Sequence, residues 1–98
     1  MANICTNIFH AQTTNKEDIN IIESFIKDNF GCTEIEITQD KELDTIFESK
    51  WFFPEDLMKE LLTKIIDKNS IFMRCLSVEY DNLYHSLWIC DGTDWDEV

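Results

Sequence analysis

The hydrophobic period of this chain switches between two and 3.6 residues along its length, and the order of those switches limits the folds open to it. In "ANICTNIFHAQ", Ile4, Thr6 and Ile8 share one side of an extended chain and Cys5, Asn7 and Phe9 the other, which predicts a strand. Helical spacing follows, with Ile19, Ile22, Phe25 or Ile26, and Phe30 recurring on one stripe. Thr14 with Glu17 fits a capping box, Asn15 offers an alternative cap, and Gly31 stands where a left-handed C-cap belongs, so the spacing predicts a helix over 15–30. The period then returns to two. "CTEIEIT" turns Thr33, Ile35 and Ile37 one way and Glu34 and Glu36 the other, as in a half-buried strand with a wet face. "QDKE" reads as a polar turn. "LDTIFESKWF" reads as a further strand, with Thr45, Phe47, Ser49 and Trp51 on one side and Ile46, Glu48, Lys50 and Phe52 on the other.

Pro54, the single proline, suits the first position of a second helix, where its missing N–H is not needed. Glu55 and Asp56 then sit at the positive end of the helix dipole. Leu57, Met58, Leu61, Leu62 and Ile65 form its apolar stripe, so the helix is expected over 54–68. "IFMRCLSVEY" and "LYHSLWIC" are rich in branched and aromatic residues, and Asp81-Asn82 between them supplies turn chemistry for a hairpin. The order β-α-β-β-α-β-β predicts an α+β fold: a ferredoxin-like sandwich over 1–90, with an antiparallel sheet, two helices on one face, and the fifth strand beside the fourth. A small α+β sheet of different strand order is the alternative. "DGTDWDEV", 91–98, reads as an acidic C-terminal tail, loosely held apart from Trp95.

Ninety-eight residues suit one domain, and two glycines and one proline argue against disorder. No apolar run reaches the ~20 residues of a membrane span. No basic segment followed by an apolar one opens the chain, so no signal peptide is expected and the expected location is cytoplasmic. The cysteines, Cys5, Cys32, Cys75 and Cys90, form no C-x-x-C pair and are expected to be reduced and mostly buried.

Twenty acids against eight bases give a net charge of −12, which repels nucleic acid and anionic membrane and favours basic partners. Nine of the acids fall between Glu34 and Glu60, and from Glu79 onward there are six with no Lys or Arg. Carboxylates spaced along an edge can imitate a phosphate backbone. The alternative is a solvated face whose charges block edge-to-edge aggregation. Under the first reading Glu34, Glu36, Asp40, Glu42 and Asp44 contact a basic groove, and Asp94, Trp95 and Asp96 form a second contact, with Trp95 either an aromatic anchor among acids or a tail residue folded back on the domain.

Other chemistries find little support. His10, His85 and the cysteines lack metal-ligand spacing, and residues five apart on a strand face opposite ways. Ser86 and His85 are sequence neighbours and so point apart; only Cys75 or Cys90 could approach His85 across the hairpin. Two glycines cannot build a phosphate-binding loop. No catalytic residue, metal or cofactor is expected.

"ESKWFFPEDLMKELL", followed by an aromatic strand pair, resembles a family of small ferredoxin-like-fold proteins, largely of unknown function, carried by bacteriophages, plasmids and other mobile elements. Ser49-Lys50-Trp51-Phe52-Phe53-Pro54 stands where that family has Thr-x-Trp-x-Pro-Pro. "MANICTN" keeps Asn3, Cys5 and Asn7 of its Met-Pro-Asn-Trp-Cys-x-Asn opening, with Ala2 and Ile4 in place of the proline and tryptophan. The resemblance implies the fold and a mobile-element origin, and carries over no catalytic residues. With the charge, it makes the chain a candidate host-defence inhibitor of the anti-CRISPR type, binding a basic nucleic-acid-binding surface as a mimic. The alternatives are a ligand-binding or enzymatic domain with a pocket near His85 and Cys75, and a homodimeric structural subunit joined through exposed apolar residues such as Phe52 or Tyr84.

Overall fold

In the computed structural model, which describes residues 4–31, 34–81 and 83–98, the chain folds as α+β with one six-stranded antiparallel sheet and two helices. In chain order the elements are β1 (Ile4–Gln12), α1 (Lys16–Phe30), β2 (Ile35–Thr38), β3 (Glu42–Lys50), α2 (Glu55–Lys64), β4 (Phe72–Glu79), β5 (Tyr84–Cys90) and β6 (Trp95–Glu97). The sheet order is β2-β3-β1-β4-β5-β6. The long strand β1 lies at its centre, with Ile8 opposite Ile46 of β3 on one side and Leu76 of β4 on the other. Among the described residues, no helix is long and apolar enough to cross a membrane.

One face of the sheet carries both helices. Phe9 and Ala11 of β1, Leu43 and Phe47 of β3, and Met73 and Cys75 of β4 point into a single core. There they meet Ile19, Ile22 and Ile26 of α1 and Met58 and Leu61 of α2. Each of the Phe, Leu, Ile and Met side chains among them contributes ~1.5–3 kcal/mol by leaving water. Helix α1 starts as its sequence demands. Of the two expected caps the molecule uses Asn15, whose side-chain oxygen accepts from the N–H groups of Glu17 (2.9 Å) and Asp18 (3.3 Å). Gly31 ends it at φ +62°, donating its N–H to the Lys27 carbonyl, in the left-handed region that glycine enters without penalty.

Three expectations are corrected. The second helix ends at Lys64 rather than 68, because a buried carboxylate takes over the following backbone: Asp18 accepts from the N–H groups of Ile66 (2.7 Å) and Asp67 (2.9 Å). Strand β3 ends at Lys50, and Trp51, expected to continue it, turns the chain at φ +72°. The segment expected to be a loose tail contributes a sixth strand, β6, in register with β5 through Cys90–Trp95 and Trp88–Glu97. Cys32 and Thr33 of the expected second strand, Asn82 of the expected turn and Asn3 of the opening motif lie outside the described residues.

Candidate functional site: an open sheet face and an aromatic corner

With both helices on one side, the other side of the sheet faces solvent, and strand alternation decides what it displays. The cross-strand registers join Ile46, Ile8, Leu76 and Leu87 into one row across β3, β1, β4 and β5. Ile46 is 59% and Ile8 44% exposed. A second row, one rung along, joins Glu36, Asp44, His10 and Arg74. Thr6 and Glu48 stand on the other side of the apolar row. The face is therefore a band of branched aliphatic side chains edged by Glu36, Asp44, His10 and Arg74 on one side and by Thr6 and Glu48 on the other.

The first group of expected contact residues is partly assembled by this geometry. Glu34, Glu36 and Asp44 line one groove of about 580 Å³ together with Ile8 and Ile46. Glu42 lies on the same face of β3, opposite Thr38. Asp40 does not join them: it sits in the turn before β3 and pairs with Lys16 at 3.5 Å. Asp44 also bonds the His10 ring, Nδ1 to Oδ1, at 2.7 Å, which fixes its position at the rim of the apolar band. Glu36 and Asp44 stand directly opposite each other across β2 and β3. Like charges so placed cost stability.

The second group is dispersed. Trp95 is only 3% exposed; its indole N–H donates to the Met58 carbonyl at 2.9 Å and its ring packs 5.4 Å from Phe53. It is a core residue, and the expected docking anchor is not available at the surface. Asp94 is exposed and its carboxylate accepts the Trp95 N–H. Asp96 pairs with Ile89 on β5. Strands β2 and β6 are the two edges of the sheet, five strand spacings or ~24 Å apart. The two acidic groups therefore do not form one surface.

The expected pocket around His85 and Cys75 does not form. His85 lies opposite Val78 on the open face, whereas Cys75 lies opposite Trp88 and is buried among the core residues. Cys5, Cys75 and Cys90 are free and buried, and burial pushes the Cys75 thiol up to about 12, far from a reactive thiolate. Among the described residues, no three His, Cys, Asp or Glu side chains gather as a metal site would require.

Phe52 and Tyr84, expected as exposed apolar residues of a homodimer contact, meet on the helix-bearing side at a second concavity of about 410 Å³ at the end of β3. Trp51, Phe52, Phe53, Tyr84 and Trp88 supply its aromatic walls. The residues that sequence reasoning passed over are Ile8, Ile46, Leu76 and Leu87 of the band. Their signal was present: β1 is apolar on both faces, and a sheet covered by helices on one side only leaves one of those faces bare.

In comparisons with known proteins, no protein-family model, no curated protein and no solved structure matches this chain.

Proposed function

We propose that the chain is a ferredoxin-like protein-interaction module that docks a basic partner on the open face of its sheet. The fold reading is supported by the order of the first four strands, β4-β1-β3-β2, all antiparallel, with α1 connecting β1 to β2 and α2 connecting β3 to β4. The functional reading is carried by one observation: the in-register carboxylates Glu36 and Asp44 border the exposed Ile8 and Ile46 on a face that no helix covers. A like-charge pair placed opposite across two strands is a cost the fold does not need, and such costs are retained where a site uses them. An apolar centre with a charged rim is also the usual anatomy of a protein interface.

The partner that fits is a protein with a basic rim around an apolar patch. Nucleic-acid-binding surfaces, including those of host-defence complexes, are the first class to test. This keeps the mobile-element inhibitor reading and modifies its mechanism. Ile46 interrupts the carboxylates Glu42, Asp44 and Glu48 along β3, so contact is apolar at the centre and electrostatic at the edge. The action is by contact, without catalysis or cofactor.

The double reversal Glu36→Lys/Asp44→Lys is the direct test. Wild-type protein immobilised as bait retains a nucleic-acid-binding protein at low salt, releases it at high salt and loses it to competing nucleic acid; the reversed protein, folded by circular dichroism, retains nothing. Equal retention by both baits ends the proposal. Ile46→Glu separates apolar docking from phosphate mimicry. Weaker retention supports an apolar centre, whereas stronger retention identifies the carboxylate array as the working element.

A further inference from the structure

We propose that the aromatic concavity at the end of β3 is a binding site for an alkylammonium group, the head of a lysine side chain, free or N-methylated, presented by a protein partner. It lies on the helix-bearing side of the sheet and stands independently of the open-face reading.

The composition of the walls points to this chemistry. Among the described residues, the lining besides the five aromatic side chains is two carboxylates, Glu55 and Glu79, and includes no Lys or Arg. Aromatic faces carry negative potential, and a cation within ~6 Å of a ring centroid is attracted to it. An anion would meet two carboxylates in the field of a chain of net charge −12. Glu79, 2% exposed, accepts from the Asp81 N–H at 2.9 Å, which holds its carboxylate beside the rings, where a neutral apolar ligand would gain nothing from it. An ammonium group is attracted by both the rings and the acids. The Lys59 ammonium, the nearby cation, is held along α2 by Glu55 at 2.9 Å in an exposed pair that a ligand can outcompete.

The site is also built, and its bracing reaches into the core. Trp51 holds a φ of +72°, a conformation costly for a bulky residue that survives only where its surroundings impose it. The next residue is clamped twice: Phe52 donates its N–H to the Lys50 carbonyl at 2.8 Å, and its carbonyl accepts from Ser49 Oγ at 2.9 Å. Ser49 in turn accepts from the buried Asn7 amide at 2.9 Å, and Asn7 accepts from Ser77 at 2.7 Å. On the far wall Phe53 stacks on Trp88, centroids 4.5 Å apart and rings 8° from parallel. The Trp88 indole donates to Ser86 Oγ at 3.1 Å, and Tyr84 shares a 2.7 Å hydrogen bond with the same hydroxyl. The result leaves Trp51 47% and Phe52 59% exposed on a fixed turn, where flexible apolar side chains would otherwise fold down. A wall open to solvent suits a side chain entering from another protein.

The test titrates the full-length protein with three amides: N-acetyl-lysine methylamide, its N-trimethyl form, and the neutral analogue with carbon in place of the charged nitrogen. Tryptophan fluorescence and the NMR signals of the indole N–H groups report binding. The trimethyl compound is expected to saturate, with Trp51 and Trp88 indole signals shifting, and the neutral analogue to bind about tenfold more weakly or worse. Phe52→Ala, an exposed position whose loss leaves the core intact, is expected to weaken the trimethyl compound by a similar factor, as is Glu79→Gln. Equal affinity for the charged and neutral compounds overturns the proposal, as does the absence of a saturable response. Tetramethylammonium binding as tightly as the lysine amides overturns the assignment to a protein-borne lysine.

Discussion

Cys75 shows how a single side chain couples burial to pH. Fully buried on the helix-bearing face, its thiol is pushed up from 9.0 to about 12, first by burial and against the lowering effect of its contact with Ser77. In the unfolded chain the same thiol ionises near its ordinary value. Below about pH 9 both states hold the proton and nothing is lost; above it the unfolded state releases its proton and gains stability that the folded state cannot match. At ~1.4 kcal/mol per pH unit the loss grows to an upper bound of ~4 kcal/mol by pH ~12. The measurable outcome is a urea midpoint that falls steadily from pH 9 to pH 10.5, and a Cys75→Ala variant whose midpoint, although lower at pH 7, falls less steeply. Parallel curves for the two proteins would remove Cys75 from the account. Burial of Cys75 was readable from its alternation with Met73 and Ser77 on β4, but the Asn7 amide that gathers Ser49 and Ser77 beside it was not. Those partners lie 42 and 70 positions away from Asn7, beyond any local pattern.

At the scale of elements, what could be read was what is local. Helix α1 carries its cap, its stripe from Ile19 to Ile26 and its stop at Gly31 within its own segment; the stripe and the stop act as read, and of the two caps read there it uses Asn15, the alternative to the Thr14–Glu17 box. Strands β1, β3, β4 and β5 are long enough for alternation to show. Strand β6 has three residues, too few to show a period, and only its register with β5 reveals it. The end of α2 was hidden for another reason, since the carboxylate that terminates it comes from α1. Gly92 pins the turn before β6: at φ +99°, an added Cβ would fall 1.9 Å from the Lys68 carbonyl oxygen. That packing brings Trp95 beneath α2, where it supports Phe53 and, through it, Trp88. Trp95→Ala is therefore expected to cost ~3–5 kcal/mol, the loss typical of a large core aromatic. A residue in a loose acidic tail would change stability by no more than ~0.5 kcal/mol. Denaturant unfolding distinguishes the two, and a change as small as the second would mean that β6 detaches without consequence for the core.

The whole molecule carries a net charge of −12 that its ion pairs do little to offset. Lys16–Asp40, Lys27–Glu23 and Lys59–Glu55 lie at the surface, where solvent and salt screen such pairs and they add little. Self-repulsion therefore weighs against the compact state, and it acts over distances that salt controls: the screening length shrinks from ~30 Å at about 0.01 M to ~3 Å at about 1 M. Raising NaCl over that range is expected to raise the denaturation midpoint. The same screening weakens attraction between the Glu36–Asp44 rim and a basic partner, so retention of that partner is expected to fall as stability rises. The opposite signs separate the two roles of the charge. If stability rises and retention rises with it, the contact is governed by Ile8 and Ile46, whose burial salt does not weaken, and the acidic rim serves to keep the exposed band from pairing with copies of itself.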